Sequence, residues 1–387
     1  MLKPSGHWDI FCSVIDNYGD IGVTWRLSRQ LANEFGIAVR LWVDDLQAFR
    51  KIRPEIDCHA TRQELNGVEV RHWTNPLPST IPGEVVIEAL ACNLPDGYIQ
   101  AMLALSPKPI WLNLEYLSAE KWVSGVHGLP SPNPRLPLTK YFFMPGYLPD
   151  TGGLTREQGL FQARDQFQQD PAAQSLFWNR IGLPNKKPGQ LRISLFSYES
   201  TSLPGMLTAC ADADCVIDLL VPQGKALPQI AAWFSRQAIS AGEHLERGNL
   251  CVHSLPMLPQ DEYDTLLWAC DFNIVRGEDS FVRAQFAARP MLWQAYIQDE
   301  GAHLDKLEAF LDLYCADMQP AMADLVRASW LAWNQQEEIG ALWPSLLASL
   351  PDQAAHARAW ATHLAGQTDL SSNLVKFINK LLESRVF

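Results

Sequence analysis

The 387-residue chain contains eight cysteines but no Cys-x-x-Cys pair, and no apolar run approaches the length of a membrane-spanning helix. Cys12, Cys58, Cys92, Cys210, Cys215, Cys251, Cys270 and Cys315 are scattered, several inside apolar runs, and the histidines, His127 and His253 among them, show no paired metal-ligand spacing. Free thiols in a reducing cytoplasm are therefore expected, with no metal. Positive charge is also scarce. Against 43 Asp and Glu there are 31 Lys and Arg, a net charge of -12, whereas a nucleic-acid footprint needs a basic stripe to neutralise phosphates. The full Gly-x-Gly-x-x-Gly fingerprint is missing, which disfavours an NAD enzyme, and Ser-His-Asp chemistry lacks its nucleophile elbow. Lys3 and Pro4 lead straight into a short strand pattern instead of a signal peptide. A cytoplasmic protein without nucleic-acid or membrane partners is the expectation.

What is present is apolar surface. With 47% hydrophobic residues and 14 Trp, the chain can fill two packed cores. Short β-rich runs at 8–14, 38–43, 68–73, 85–89, 110–114 and 141–144 alternate with helical or loop segments. Most are continuously apolar, as parallel strands covered on both faces require. The proline-rich 129–137 segment reads as a loop, and 183–190, rich in turn formers and charge, as a linker. A second β/α series follows, with strands at 192–196, 216–221, 249–253, 272–275 and 290–293 and helical runs such as 229–239 and 263–269. Beyond it the pattern is helical to the end, and 370–382 is amphipathic. The predicted fold is α/β, with two facing Rossmann-like domains, a central cleft and a helical C-terminus. The first covers 1–184, completed by the helix 368–387, and the second 190–365.

Polar side chains gather at the strand ends, where such sheets bind ligands. Asp16-Asn17-Tyr18-Gly19-Asp20-Ile21-Gly22 lies between a strand ending at Val14 and a helix expected over 23–35. Its carboxylates could hold a cation, take a proton or cap the helix. Arg276-Gly277-Glu278-Asp279-Ser280 occupies the matching place in the second half. There the N–H groups of Asp279 and Ser280 would enter a helix's first turn, where phosphate is favoured, while Arg276 adds charge and the acids suit sugar hydroxyls. In Leu195-Phe196-Ser197-Tyr198-Glu199, period-two alternation sends Phe196 and Tyr198 to one side. Packing is the simpler reading of that pair, and of Asn113-Leu114-Glu115-Tyr116-Leu117 and the aromatic run from Tyr141 to Tyr147 followed by Gly152-Gly153.

These blocks, in order and over most of the chain, resemble the bacterial protein-arginine rhamnosyltransferases that modify translation elongation factor P, the EarP family, whose architecture is GT-B. The resemblance is densest from Phe11 to Leu27. It implies a cytoplasmic inverting enzyme moving L-rhamnose from dTDP-β-L-rhamnose to one arginine of elongation factor P, activating it for rescue of ribosomes stalled at polyproline. It further implies that the second domain holds the donor and the first meets the protein acceptor. Phe196 would stack on thymine, Gln260 would mark the segment meeting the base, and Tyr198, Arg276, Asp279 and Ser280 would contact diphosphate and ribose, with Gly277 and the loop residues Asn17, Tyr18 and Gly19 lining the donor. Asp20 matches the essential acceptor-side carboxylate, Asp16 a supporting one and Glu278 a second essential acid. Glu115 and Tyr116 are acceptor-side candidates. No metal or other cofactor is implied. The rival readings are a GT-B transferase for a small molecule or glycan, and a nucleotide-sugar-binding regulator without turnover.

Overall fold

The structure, a computed structural model, describes residues 5–15, 18–298 and 301–385. It divides into two units, one of 1–158 with 367–387 and one of 159–366. The first holds an eight-stranded sheet: β1 (Ser5–Cys12), β2 (Val39–Val43), β3 (Arg62–Leu65), β4 (Val68–His72), β5 (Gly83–Ala89), β6 (Ile110–Leu114), β7 (Pro130–Pro132) and β8 (Thr139–Phe143), in the order β3-β4-β2-β1-β5-β6-β8-β7. The second holds β9 (Leu191–Leu195), β10 (Ile217–Pro222), β11 (His244–Arg247), β12 (Leu250–Leu255), β13 (Phe272–Arg276) and β14 (Met291–Gln294), in the order β11-β12-β10-β9-β13-β14. Both sheets are parallel except for β3, β7 and β11, which pair antiparallel at edges. Each is Rossmann-like. β2 and β10 are buried at every position, and apart from Arg40 and Asp218 they are apolar, as strands covered on both faces require.

A buried ion pair registers the middle of the first sheet. Asp9 on β1 is fully buried, and its carboxylate accepts from Arg40 Nε and Nη2, both at 2.6 Å, from Trp42 Nε1 at 3.1 Å, from the Gly83 N–H at 2.6 Å and from the Tyr98 hydroxyl at 2.5 Å. Burial pushes the Tyr98 phenol well above its ordinary range, so it stays a proton donor. Gly83 is required sterically as well, because a Cβ there would stand 2.2 Å from the His7 carbonyl oxygen.

The chain passes from one unit to the other between Gln158 and Gly159, well before the 183–190 segment. Phe177, Trp178 and Leu183 bury against Leu220, Leu255 and Leu266, and Arg164 Nη1 donates to the Phe286 carbonyl at 2.8 Å. The helices Leu160–Gln169 and Pro171–Arg180 thus belong to the second unit, and 183–190 is a loop within it that leads into β9. At the other end the helix Leu370–Glu383 lies in the first unit. Its Asp369 cap accepts from the Ser372 N–H at 2.9 Å and from Gln30 Nε2 at 3.1 Å, while Ser371 donates to Gln30 Oε1 at 2.7 Å. Phe377 packs against Phe143 and Tyr141. All eight cysteines are free thiols, and no helix among the described residues is long and apolar enough to cross a membrane.

Replacing Arg40 with Met strands the Asp9 charge in the interior. We expect a loss of about 3–5 kcal/mol, read as a drop in the urea midpoint of the first unit's transition.

Candidate functional site

Polar side chains collect at the carboxyl edge of each sheet, where the strand order reverses. In the first sheet the reversal falls between β1 and β5. The segment leaving β1 is tied to the end of β2, because Asp44 accepts from the Ser13 hydroxyl at 2.6 Å and the Val14 N–H at 2.9 Å. The helix Gly19–Phe35 then begins four residues earlier than the sequence pattern predicts, so Asp20 sits in its first turn and not in the preceding loop. Asp20 is 2% exposed, with Oδ2 accepting the Ile15 N–H at 2.8 Å and Oδ1 the Tyr116 hydroxyl at 3.4 Å. A carboxylate at a helix N-terminus is favoured by the macrodipole, which offsets part of the cost of burying it. Tyr18 lies under Lys51, whose Nζ is 5.8 Å from the ring centre. Asp16 and Asn17 lie outside the described residues.

The other flank of this reversal is the end of β5. Leu90 and Ala91 both adopt positive φ, 56° and 59°, a strained pair next to the β1 exit. Half-buried Glu115 accepts from Asn113 Nδ2 at 2.5 Å. The Tyr141–Tyr147 segment is mostly packing: Phe143, Met144 and Tyr147 are buried, and the Met144 N–H donates to His127 Nδ1 at 3.0 Å. Burial lowers the His127 pKa and favours the neutral ring.

In the second sheet the reversal falls between β9 and β13. Phe196 and Tyr198 follow β9, and Arg276 ends β13 between them, its guanidinium carbon 4.6 Å from the Phe196 ring centre and 4.3 Å from that of Tyr198. All three are at least nine-tenths buried. Packing against two aromatic rings holds the guanidinium in place. Gly277 turns the chain with φ 65°, Glu278 is the N-cap, and Asp279 and Ser280 open the helix Asp279–Phe286. Gln260 Nε2 donates to Asp279 Oδ2 at 2.8 Å.

Several supporting residues escaped the sequence reading. Gln294 Oε1 accepts the Tyr198 N–H at 2.8 Å and Nε2 donates to the Glu199 carbonyl at 3.4 Å, fixing the loop after β9. Trp293 Nε1 donates to the Gly277 carbonyl at 2.8 Å and its ring stacks on Phe281 at 4.0 Å. Tyr263 leans on Phe196, ring centres 5.6 Å apart. A polar residue one position past an apolar strand was the available signal for Gln294, which pairs in register with Arg276.

Two Rossmann-like units, each with its polar cluster at the strand-order reversal, are the parts of the GT-B fold. A plant UDP-glucosyltransferase from Polygonum tinctorium shares this fold with a TM-score of 0.52 at 10% identity, over 99% of both chains. The family model described as elongation-factor P (EF-P) rhamnosyltransferase EarP matches residues 8–379. Two relatives named protein-arginine rhamnosyltransferase, from Pseudomonas putida and Shewanella oneidensis, are 50% and 45% identical, each covering 97% of this chain and 99% and 98% of their own. A solved structure described as the structural basis for EarP-mediated arginine glycosylation of translation elongation factor EF-P superposes with a TM-score of 0.70 at 38% identity, over 97% of this chain and 99% of that one. The chain belongs to the elongation-factor P rhamnosyltransferase family, and it is an enzyme of the protein-arginine rhamnosyltransferase class.

Gln294→Met removes the acceptor of a buried N–H beside Tyr198. A cost of about 1–3 kcal/mol in chemical denaturation is expected, with weaker nucleotide binding.

Proposed function

We propose that this enzyme transfers L-rhamnose from dTDP-β-L-rhamnose to the guanidino nitrogen of one arginine of translation elongation factor P, with inversion at the anomeric carbon. Family membership supports the sugar and the arginine, and the names of the family and of the related structure support the acceptor. The reading puts the enzyme in the cytoplasm, a compartment that suits eight free thiols. The observation that carries it is Asp20, a carboxylate buried at a strand-order reversal and oriented by the Ile15 N–H.

An arginine side chain has a pKa above about 12 and is a poor nucleophile in its protonated form. Transfer needs the guanidinium fixed in line with the anomeric carbon and a base to take its proton as the nitrogen–carbon bond forms. Asp20 serves both needs, with the Tyr116 hydroxyl on its carboxylate, Asp16 as a supporting carboxylate and Glu115 on the acceptor side. In the same displacement the bond from the anomeric carbon to the β-phosphate oxygen breaks, and dTDP leaves with the electron pair. One displacement inverts the centre without a covalent enzyme intermediate.

Donor binding falls to the second unit. Phe196 offers its face to thymine, and Gln260 leads the segment beside the base. Tyr198, Arg276, Gly277, Asp279 and Ser280 surround the diphosphate and ribose, where the stacked guanidinium and the helix N-terminus stabilise charge building on the leaving group without calling on a metal. Glu278 serves the sugar hydroxyls, and Asn17, Tyr18 and Gly19 are further donor-binding candidates.

Asp20→Asn should cut the transfer rate by about 10²–10⁴-fold while calorimetry finds dTDP affinity unchanged. Loss of both together would assign Asp20 to folding instead. Phe196→Ala should weaken dTDP by about 1–3 kcal/mol, the value of one base–aromatic stack. Free arginine or a short peptide should be a far poorer acceptor than the intact factor, since orientation comes from contacts remote from the reacting nitrogen. Equal kcat/KM for peptide and protein would contradict that.

A further inference from the structure

The amino edge of the second sheet, opposite the strand ends that carry Phe196 and Arg276, holds a group of side chains that the transfer chemistry does not use. Asp218 on β10 is the register partner of Cys251 on β12, and Cys251 in turn pairs with Glu246 on β11, so the three share one face. His253 lies two residues beyond Cys251 and joins that face. The ligand atoms of Asp218, Cys251 and His253 all fall within 4.8 Å of one another.

Two separations come within about 0.3 Å of those between ligands of one cation. Tetrahedral bonds of about 2.1 Å to N or O and about 2.3 Å to S place neighbouring ligand atoms about 3.4–3.6 Å apart. His253 Nε2 stands 3.1 Å from Asp218 Oδ1, and Cys251 Sγ stands 3.7 Å from Glu246 Oε1. We propose that Asp218, Cys251 and His253 bind a zinc-like divalent cation across β10 and β12, with the exposed Glu246 side chain of β11 turning in from Cys251 as the fourth donor.

Charge bookkeeping agrees. Asp218 Oδ2 accepts from Arg192 Nε at 3.2 Å and from Gln190 Nε2 at 2.7 Å, which leaves Oδ1 directed at His253. Burial pulls the Asp218 pKa up, but His253 and Arg192 outweigh it, and the carboxylate is held ionised. Burial, with Asp218 and Glu246 adding to it, pushes the Cys251 thiol up to about 12. Without a cation this corner carries two carboxylates against one guanidinium. A divalent ion bound to both carboxylates and the Cys251 thiolate, beside Arg192, brings the sum to zero. On binding, the thiol proton leaves to solvent as the metal–sulfur bond forms. Along the chain only the Cys251–His253 spacing marks this set, because Asp218 and Glu246 join it by lateral strand pairing.

The test uses the untagged full chain, stripped with a chelator and titrated with Zn²⁺ by calorimetry and with Co²⁺ as a spectroscopic probe. One equivalent of Zn²⁺, a thiolate-to-cobalt charge-transfer band in the wild type, and more than about tenfold weaker binding in Cys251→Ser and His253→Gln are expected. Rhamnose transfer by His253→Gln should be unchanged. Co²⁺ binding without the thiolate band, or Zn²⁺ affinity equal in wild type and His253→Gln, overturns the proposal. Should Cys251→Ser fail to fold, the wild-type spectrum and His253→Gln decide it.

Discussion

The Asp9 carboxylate, closed in on by Arg40, Trp42, Tyr98 and the Gly83 N–H, is the constraint on which the first unit depends. It draws together β1, β2, the start of β5 and the helix Asp96–Leu103. A buried pair of this kind contributes little net stability over an apolar replacement, but it penalises any other register, since a shifted strand would leave one charge unpaired. β1 is therefore held so that its exit meets Asp44 on one side and the strained Leu90–Ala91 pair on the other. Asp20 inherits its position from that exit.

The second unit reaches the same arrangement by different means. Arg276 is held by aromatic faces, and the loop carrying those faces is fixed by Gln294, the register neighbour of Arg276. Trp293 secures the Gly277 carbonyl, so the turn into the helix Asp279–Phe286 is braced from β14. Preorganisation of this sort matters for group transfer because donors already aimed at developing charge need no reorganisation at the moment of reaction. The proposed displacement asks for both kinds of group: a carboxylate for an acceptor losing a proton, and a guanidinium with a helix N-terminus for a diphosphate gaining charge.

Much of this was legible in the sequence because buried parallel strands announce themselves as apolar runs. The strands beginning at Val39, Val68, Ile110, Leu191 and Phe272 fall within a residue or two of their predicted starts. The antiparallel edge strands were not legible: β3 and β11 are polar and largely exposed, and β7 contains two prolines, which an edge tolerates and a central strand does not. The unit boundary was misplaced at 184 because prolines and lysines at 183–190 look like a linker, whereas the burial of Phe177 and Trp178 against Leu220 is a tertiary fact. The helical start at Gly19 was obscured by two glycines, which propensity counts against a helix. Among the site residues, Phe196, Tyr198 and Arg276 were readable as a strand-end cluster, and Gln260 joins Asp279 as a neighbour. Trp293 acts through a side-chain-to-backbone bond that no linear pattern encodes, and Gln294 is marked only by a polar side chain closing an apolar run.

Intact-mass spectrometry of purified elongation factor P, incubated with this enzyme and dTDP-β-L-rhamnose beside a control lacking donor, tests the central claim most directly. The account predicts a gain of one deoxyhexose that maps to a single arginine. An unchanged mass, with calorimetry still showing dTDP bound, would contradict the assigned acceptor and leave only the fold and the donor site standing.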